Sequence, residues 1–511
     1  MTIRIVEGLP AAGAHVARLR TDKEMTLPES VTTRLRAIFG REISPQEAVA
    51  QIVADVRRDR DAALYDYTQR IDGPSLDSLI AGSEAIEAAY QSMPPNLRDA
   101  LRLAADRIRA FHEQEPRHSW LAWDDEGGAL GQMIRPLRRV GIYVPGGTAV
   151  YPSSLLMAAV PAQVAGVTEI VVTTPPGPEG TGAAAVLAAA RVVGLECVYL
   201  VGGAQAIAAL AYGTESVPRV DKVVGAGGLF VTLAKKLAYG DVGIDGLYGP
   251  TETLLIADDA ANPALVAADL LAQAEHDPLA TALLVTPSAR LAEAVQAEVT
   301  RQTSSLARQE IIEASLAGQG AILVVADLDE ALALANEYAP EHLCLLVSDP
   351  WSLVGQVRNA GGIFVGEGSS ETLGDYVVGP SHVMPTRGTA RFASPLHVGD
   401  FCKVTSVFAV SDAAAQQLAP AAQTIAQAEG LTAHAAAVAA RGVRRAERLH
   451  RPTGASPPTP PPSPLAGDER LATRQGGIVN VDRITGMESS LPRSSGGNSG
   501  HAQRHQSGAP R

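Results

Sequence analysis

The sequence predicts an α/β protein with two tandem doubly wound domains, a helical region before them and a small helical unit after them. A chain of 511 residues is too long for one hydrophobic core, which normally stops growing at about 250 to 300 residues. From residue 139 onward, short β-rich runs alternate with runs of helical periodicity. The alternation resumes after an irregular linker at residues 241–252, and two such blocks predict two parallel sheets.

The region before the first sheet, residues 1–135, is predicted to be helical. Ser44, Pro45 and Glu47 occupy the positions of an N-cap, a first-turn proline and a capping-box glutamate, so a helix is expected to begin there. Apolar residues then recur with helical spacing to about residue 115.

The two sheets are predicted in residues 136–248 and 249–368. The first block contains the runs RVGIYVP, EIVVTTP, CVYLVG and KVVGAG, and the second contains TLLIAD, ATALLVTP, AILVVAD, CLLVSD and GGIFVGE. Helical runs between them indicate Rossmann-like domains, in which helices cover both faces of a parallel sheet. Ligands of such sheets bind beyond the carboxyl ends of the strands, so we expect the chemistry in loops that follow strands.

The last part of the chain divides into two predicted segments. Residues 369–450 combine an irregular stretch, rich in Gly, Ser, Thr and Pro, with a small C-terminal helical unit. A long irregular stretch inside a compact protein is usually functional. Residues 451–511, which include GASPPTPPPSPLAG, have the composition of a disordered tail, to which we assign no catalytic role.

Composition and charge narrow the class of protein. The net charge is -13 and the Lys and Arg residues are scattered, which argues against nucleic acid as the main partner and favours a small substrate. Cys197, Cys344 and Cys402 form no C-x-x-C motif, so we expect reduced thiols rather than a disulfide framework or a thiolate zinc site. Neither a signal-peptide pattern nor a run of about 18 apolar residues is present, which predicts a cytoplasmic protein with no membrane segment.

The helical stretch LLAQAEHDP, residues 270–278, carries Gln273 and His276 three positions apart. Residues at i and i+3 share a helix face, so an amide oxygen and an imidazole nitrogen can converge on one metal ion. Taken alone, the stretch is better explained by a solvated glutamine and a histidine that caps the helix end.

Other candidate residues lie near breaks in the helical pattern. Glu341 and His342 follow Pro340, and a neighbouring carboxylate and imidazole suit general acid and base chemistry. In the irregular stretch, Asp375 offers a hard oxygen ligand and His382 a second imidazole. A solvated Glu-His pair, an Asx-turn aspartate and a loop histidine are the alternatives.

Two further groups of residues are less specific. Glu429 and His434 lie about one and a half turns apart near the C-terminal helix, where a solvated glutamate and a helix-flanking histidine explain them equally well. The loops VPGG, VGGAQ and VGAGG follow strands of the first domain, but none fits the G-x-G-x-x-G dinucleotide fingerprint. Backbone amides at the following helix starts could still bind a pyrophosphate.

Together these stretches resemble the histidinol dehydrogenases. The resemblance rests on seven strings in family order: YVPGG with YPSSLLM after it, VGGAQAIAALAYGTESVPRVDKV, GPTETLLIAD, DLLAQAEHDP, NEYAPEHL, GDYVVGPSHVMPTRGTARF and AEGLTAHAAAV. Each string is weak alone, but seven with matching gaps are specific, and they cover roughly residues 20–445.

The resemblance implies a zinc-dependent homodimer that oxidises an amino alcohol through the aldehyde to the acid and reduces two NAD molecules. Carried over to this sequence, the zinc ligands are Gln273, His276 and Asp375, and His434 completes the site from the partner subunit. These four residues also belong to the implied substrate site. Two neutral ligands from one helix face leave the carboxylate ligand to come from Asp375.

The resemblance also assigns proton acceptors and substrate contacts. His342 matches the residue that takes the alcohol proton and contacts the substrate, and Glu341 matches the residue that activates water for the second oxidation. Thr251, where the family has serine, matches a substrate contact, as do His382 and Glu429. An acid at 429 suits a cationic substrate and would repel a sulfonate.

On the cofactor side, the resemblance implies NAD contacts at Tyr143, Gln205 and Gly228. The family has an asparagine in a G-P-G-N loop where this chain has GAGG, with Gly228 in the place of the asparagine. The loop IDGLYGPTE also departs from the family, most visibly at Tyr248.

Three functions are compatible with the sequence, and we rank histidinol oxidation in histidine biosynthesis first. The second is a sister dehydrogenase that acts on another polar alcohol, such as a sulfonated diol, and the third is a non-catalytic zinc-binding homologue. Glu429 and His382 favour the first over the second. The complete set of metal and acid-base residues argues against the third.

Overall fold

The computed structural model describes residues 3–21, 29–115, 118–125, 127–146, 150–449 and 478–480. The chain divides into two compact units, one formed by Met1–Glu115 with Pro136–Lys403 and the other by Pro116–Arg135 with Val404–Arg511. The first unit contains both parallel sheets, and the second contains a small four-stranded sheet and the C-terminal helices.

Helices and strands alternate along most of the described chain. The helices are α1 (Leu9–Thr21), α2 (Glu29–Phe39), α3 (Pro45–Asp59), α4 (Asp61–Ile71), α5 (Ser83–Ser92), α6 (Pro95–His112), α7 (Pro152–Ala165), α8 (Ala184–Val192), α9 (Gly203–Tyr212), α10 (Leu229–Ala238), α11 (Pro263–Ala274), α12 (Ala289–Thr303), α13 (Gln309–Gly318), α14 (Leu328–Tyr338), α15 (Trp351–Val354), α16 (Glu371–Leu373), α17 (Asp412–Ala428) and α18 (Thr432–Leu449). The strands are β1 (Ile5–Glu7), β2 (Ile80–Ala81), β3 (Trp120–Trp123), β4 (Ala129–Pro136), β5 (Arg139–Tyr143), β6 (Glu169–Thr174), β7 (Val198–Leu200), β8 (Lys222–Val224), β9 (Gly243–Ile244), β10 (Glu252–Ala257), β11 (Thr281–Thr286), β12 (Ala321–Val324), β13 (His342–Leu346), β14 (Gly362–Val365), β15 (Cys402–Ala409) and β16 (Ile478–Asn480). A π-helical turn occupies Gly374–Val378, and 3-10 turns occupy Thr389–Arg391 and Val398–Phe401.

The two sheets of the first unit have the same strand order. The first α/β domain has the order β2-β7-β6-β5-β8-β9, in which all pairs are parallel except β2 with β7. The second has the order β1-β12-β11-β10-β13-β14 and is parallel throughout. The predicted pair of Rossmann-like, doubly wound domains is therefore confirmed.

The strands of the second domain are apolar runs because helices cover both faces of the sheet. Every residue of β10, β11 and β13 is buried. Leu254 and Leu283 face one hydrophobic cluster, while Leu255 and Leu284 face another on the opposite side. Alternate side chains thus fill two cores, as expected for a parallel sheet between two helical layers.

The N-terminal region contains the predicted helices and also short strands that were not predicted. Ser44 caps α3, with the reciprocal capping-box bonds to Glu47 in place. The strand β1 pairs with β12, and β2 pairs with β7, so each strand extends one of the two parallel sheets. The strands β3 and β4 pair with each other in the second unit.

The second unit joins the sheet β15-β4-β3-β16 to the helices α17 and α18. These helices match the predicted C-terminal helical unit, whereas β15 was not predicted. Of the predicted disordered tail, residues 478–480 are described, as β16 paired with β3, and the rest lies outside the described residues.

Two sequence-based expectations concern covalent and membrane features. Cys197, Cys344 and Cys402 form no disulfide in the described chain. In the same residues, no helix is both long enough and apolar enough to cross a bilayer.

Candidate active site

The predicted site residues of the second α/β domain lie at the amino ends of its strands. Thr251 and Glu341 immediately precede β10 and β13, and His342 is the first residue of β13. Gln273 lies in the last turn of α11, which leads into β11. The expectation that the chemistry follows the carboxyl ends of strands is therefore wrong for this domain, because the ends of helices α11 and α14 deliver the side chains to the opposite edge.

A chain of hydrogen bonds joins Gln273, Thr251 and Glu341. The Gln273 Nε2 donates to Thr251 Oγ1 at 2.9 Å, and Thr251 Oγ1 donates to Glu341 Oε2 at 2.6 Å. The same Oε2 atom accepts the backbone N–H of Glu252 at 3.0 Å. Thr251, which stands where the family has serine, thus orients both the Gln273 amide and the Glu341 carboxyl group. The bonds from Thr251 and from the Glu252 N–H both end on Oε2, so neither of them uses Glu341 Oε1.

The imidazole of His342 has a defined tautomer. Its Nδ1 lies 3.2 Å from the carbonyl oxygen of Glu252, and a carbonyl can only accept, so Nδ1 carries the proton. The Nε2 atom is therefore an acceptor. It is buried and has no hydrogen-bond partner among the described residues, which leaves its lone pair available to a ligand or a substrate.

Buried carboxyl groups surround this imidazole. Asp375 Oδ1 lies 3.7 Å from His342 Nε2, and Glu371 Oε1 lies 3.7 Å from Nδ1. Burial raises the pKa of Asp375 to about 7 and that of Glu371 to about 8, and it raises the pKa of Glu341 well above its ordinary value. Burial also lowers the pKa of His342, so the site favours neutral forms of both kinds of group.

His382 is hydrogen-bonded at both ring nitrogens. Its Nδ1 lies 2.8 Å from the Asp375 carbonyl oxygen and must donate, so Nε2 accepts from the Ser154 hydroxyl at 3.1 Å. Burial, with smaller effects from the neighbouring His342 and His276, lowers the pKa of His382 to about 4. Burial is also the main cause that lowers the pKa of His276. The structure therefore brings these three imidazoles into one neighbourhood.

Several features of this neighbourhood fit a metal ion. In the described chain, Gln273 Oε1 and His342 Nε2 are buried acceptors that lack a hydrogen-bond partner. Asp375 adds a buried carboxyl oxygen 3.7 Å from His342 Nε2, and a carboxylate is a common ligand of zinc. No three His, Cys, Asp or Glu side chains of the described residues form a metal-binding group; the implied set includes an amide and His434, which belongs to the second unit.

The implied NAD contacts lie at the carboxyl ends of strands in the first α/β domain. Tyr143 ends β5, Gln205 lies in the first turn of α9, and Gly228 is the N-cap of α10. The Tyr143 hydroxyl accepts the Gly203 N–H at 3.3 Å. Gln205 is fully buried, and neither atom of its amide has a hydrogen-bond partner within the described residues. A buried unpaired amide in the first turn of a helix is suited to bind a polar ligand.

The second unit contains the two remaining site residues. Glu429 directly follows α17, and His434 lies in the first turn of α18. Both line a groove of about 680 Å³ whose other walls include Ile425, Leu431 and Val438. This unit therefore presents a carboxylate and an imidazole together beside apolar surface.

A family model described as histidinol dehydrogenase matches residues 40–442. The chain belongs to the histidinol dehydrogenase family. It is 54% identical over 435 residues to the histidinol dehydrogenase of Deinococcus radiodurans, which covers 85% of this chain and 99% of that protein. The relative from Moorella thermoacetica is 55% identical over 397 residues, covering 77% of this chain and 93% of that protein. A crystal structure of histidinol dehydrogenase from Elizabethkingia anophelis matches with a TM-score of 0.77 and 32% identity, over 88% of this chain and 99% of that chain.

Tyr248, which departs from the family pattern, packs inside the first α/β domain. Its ring contacts the hydrophobic cluster of that domain, and its centroid lies 4.8 Å from the Lys235 ammonium. Lys235 is buried, pairs with Asp245 and donates to the Gly225 carbonyl at 2.9 Å. The tyrosine thus packs against the lysine that holds Gly225, the first residue of the GAGG stretch after β8.

The GAGG stretch has room for the family's asparagine. Gly228 has φ -65° and ψ -177°, which any residue adopts, and a Cβ atom there would meet no heavy atom within 4 Å. We expect Gly228→Asn to fold normally and to lower the KM for NAD, because the added amide restores a hydrogen-bonding group at the helix start. Initial rates at varied NAD would measure this, and a higher KM would show that the loop is adapted to a different cofactor contact.

Two buried acids of the site, Glu252 and Glu371, were not predicted from the sequence. Glu252 opens the apolar strand β10 and is 5% exposed. An acid at the start of such an apolar run could have indicated a buried, paired carboxylate, since acids are rarely buried without a partner. Glu371 is 3% exposed but lies within the polar string SSETLGD, which gives no sign of burial.

Proposed function

We propose that the protein is a zinc-dependent, NAD-linked histidinol dehydrogenase that oxidises L-histidinol through the aldehyde to L-histidine. The observation that carries the proposal is the state of His342, whose Nδ1–H is engaged by a backbone carbonyl while its buried Nε2 is available as a base. The substrate assignment is supported by family membership and by close relatives that bear this enzyme name.

In the first oxidation, His342 Nε2 accepts the proton of the substrate hydroxyl as the adjacent carbon loses a hydride. The imidazolium that forms keeps its Nδ1–H bond to the Glu252 carbonyl and lies 3.7 Å from Asp375 Oδ1, so its charge is stabilised. Because burial lowers the pKa of His342, the ring begins neutral and can release the proton again.

In the second oxidation, Glu341 activates the water that adds to the aldehyde. Against the effect of burial, the Thr251 hydroxyl and the Glu252 N–H donate to Glu341 Oε2 and favour its carboxylate form, which leaves Oε1 to accept a proton from water. The resulting hydrate anion, which has already given one proton to Glu341, loses a hydride from carbon and its hydroxyl proton to His342, which gives the carboxylate. One water is consumed, and two hydrides leave the substrate.

The residues that would hold zinc are Gln273, His276 and Asp375, with His434 supplied by a second subunit. When bound, zinc would orient the nitrogen atoms of the amino alcohol through its open coordination positions. The orphaned Gln273 Oε1 supports this set, since the bond from Nε2 to Thr251 turns the oxygen away from the hydroxyl. NAD would accept the hydride and contact Tyr143 and Gln205, whose unpaired amide supports the assignment.

The remaining substrate contacts are Thr251, His382 and Glu429. The carboxylate of Glu429 would pair with the ammonium group of the amino alcohol, and the same charge disfavours a sulfonated diol. We propose a homodimer in which Glu429 and His434 serve the site of the other subunit. The apolar groove beside them supplies surface suited to such an interface. We propose a cytoplasmic location because the three cysteines are odd in number and far apart in sequence, as is usual for reduced thiols in a reducing compartment.

Purified, zinc-loaded protein should form two NADH for each L-histidinol consumed. A parallel panel of polar alcohols, including a sulfonated diol, tests the sister-dehydrogenase alternative under the same conditions. Turnover of another alcohol without turnover of histidinol would replace the proposed substrate. Zinc binding without any turnover would instead favour the non-catalytic homologue.

Mixing two inactive variants tests the shared site. In a dimer of His276→Ala and His434→Ala chains, one of the two sites would retain both wild-type ligands. We therefore expect each mixed dimer formed by subunit exchange to recover up to about half of the wild-type activity, while each variant alone stays inactive. Activity after exchange is compared with that of unmixed variants. Absence of recovery, with mixed dimers verified by mass, would show that each site is built from one chain.

A further inference from the structure

A buried ion pair lies beside the Glu341 and His342 pair. Arg20, in the last turn of α1, donates from Nη1 to Glu252 Oε1 at 3.0 Å and from Nη2 to Glu252 Oε2 at 3.4 Å. The Arg20 side chain is 16% exposed and that of Glu252 is 7% exposed. The backbone N–H of Arg387 adds a bond to Glu252 Oε1 at 2.8 Å. A two-pronged pair of this kind holds both side chains in one geometry.

The same guanidinium also holds the chain just before the catalytic residues. Its Nη2 donates to the Ala339 carbonyl at 3.2 Å, and its central carbon lies 3.7 Å from the centroid of the Tyr338 ring. Ala339 has φ 52° and ψ 65°, a left-handed conformation that strains a residue with a Cβ atom. Pro340 follows it and leads directly into Glu341. A bond to the Ala339 carbonyl therefore stabilises a turn that the backbone alone disfavours.

Glu252 contacts both catalytic residues through its own backbone. Its N–H donates to Glu341 Oε2 at 3.0 Å, and its carbonyl accepts from His342 Nδ1 at 3.2 Å. The side chain of the same residue is the part that Arg20 holds. Arg20 thus acts on the catalytic pair by two routes, through the Ala339 turn and through Glu252.

We propose that Arg20 and Glu252 are positioning residues for both oxidations, holding Glu341 and His342 through the Ala339 carbonyl and the Glu252 backbone. This proposal rests on the proposed function of the catalytic pair. The ion pair joins segments that are 232 residues apart, so the N-terminal helix becomes a structural part of the active site. Misplacement of reacting groups by about 1 Å can lower a rate roughly 100-fold.

The test compares Arg20→Met with Arg20→Lys. Methionine keeps much of the side-chain volume but removes the charge and both sets of hydrogen bonds, so kcat should fall roughly 10- to 100-fold. The fall should be similar for histidinol and for histidinaldehyde, because Glu252 contacts both catalytic residues. The KM for the substrate and the zinc content of the purified protein should each stay within about threefold of the wild-type value. Both depend on side chains other than Arg20 and the carboxylate of Glu252. Lysine keeps the charge opposite Glu252 and should restore part of kcat.

Lys222→Met is the matched control. Lys222, in the first α/β domain, forms a partly shielded ion pair with Asp400 at 2.9 Å, with side-chain exposures of 16% and 22%. Its loss should lower thermal stability by a similar amount and leave kcat within twofold of wild type. If Arg20→Met behaves in the same way, Arg20 has only a structural role and the proposal is overturned.

A second measurement separates this proposal from the proposed function. In a crystal structure of Arg20→Met, we expect Ala339 to leave the left-handed region and the contact between His342 Nδ1 and the Glu252 carbonyl to lengthen. This outcome does not depend on which alcohol the enzyme oxidises. Unchanged positions of Ala339 and His342 would overturn the positioning proposal even if wild-type protein turns over histidinol, whereas an inactive wild type would count against the proposed function.

Discussion

Replacing His342 with alanine is expected to lower kcat by roughly 10² to 10⁴-fold, the usual cost of removing a general base. The substrate hydroxyl loses its proton acceptor, because Nε2 is the ring atom left available by the Nδ1 bond to Glu252. Zinc should stay bound, since His342 is not among the proposed ligands. Steady-state rates of NADH formation and metal content by mass spectrometry measure the two effects.

His15→Ala is a control for the loss of a buried imidazole. His15 is 8% exposed, and burial lowers its pKa to about 4, so the residue resembles His342 in burial and in charge state. It lies in α1, but the bonds by which that helix holds Glu252 and the Ala339 carbonyl are those of Arg20. We expect its replacement to change stability more than kcat. Unchanged turnover in the His342 variant, with a normal zinc content, would remove His342 from the mechanism.

The fold could be predicted from the sequence where burial makes the pattern strong. Strands such as β10 and β11 are buried on both faces and therefore appear as uninterrupted apolar runs between helices. The strands β1 and β2 have three and two residues and depend on partners more than 100 positions away. Such short strands carry too little local pattern to be distinguished from loops.

The structure groups Thr251, Gln273 and Glu341 as the sequence predicted, but at the edge of the second sheet opposite to the expected one, and their roles stay predictions. In the first domain, Tyr143 and Gln205 do lie at the carboxyl ends of strands, where the same rule predicts a ligand. In the second domain, Gln273 and Glu341 are placed by the ends of helices that precede strands. A string such as NEYAPEHL shows which residues are adjacent, but the choice of edge depends on how the helix packs against the sheet.

Supporting contacts were harder to predict than the catalytic residues, because they join distant segments. The bond from Arg20 to Glu252 spans 232 positions, and the bond from Thr251 to Glu341 spans 90. Helical or strand periodicity carries no information on such pairs. The hydrogen-bond chain through Thr251 therefore emerges only from the structure, where a residue assigned to substrate contact also orients a proposed ligand and a proposed base.

In the metal-free protein, Glu371→Gln is expected to become increasingly more stable than the wild type as the pH rises from 5 to 8. Burial raises the pKa of Glu371 from 4.5 to about 8, so within this window the folded state keeps a proton that the unfolded state has lost. Folding stability of the wild type must then decrease with pH, because the folded state binds more protons. Each unit of pKa difference corresponds to about 1.4 kcal/mol, so the full loss is on the order of 5 kcal/mol.

Glutamine keeps the shape of the protonated acid but cannot ionise, so the variant avoids that loss. Urea unfolding with EDTA present, repeated at several pH values, should show the two proteins alike near pH 4.5 and the variant increasingly more stable up to about pH 8. Glu337→Gln, an exposed substitution, should follow the wild-type curve. Parallel curves for wild type and Glu371→Gln would mean that Glu371 is ionised in the folded protein. The carboxyl group would then carry a negative charge 3.7 Å from the His342 ring and would raise the pKa of the base instead of leaving it neutral.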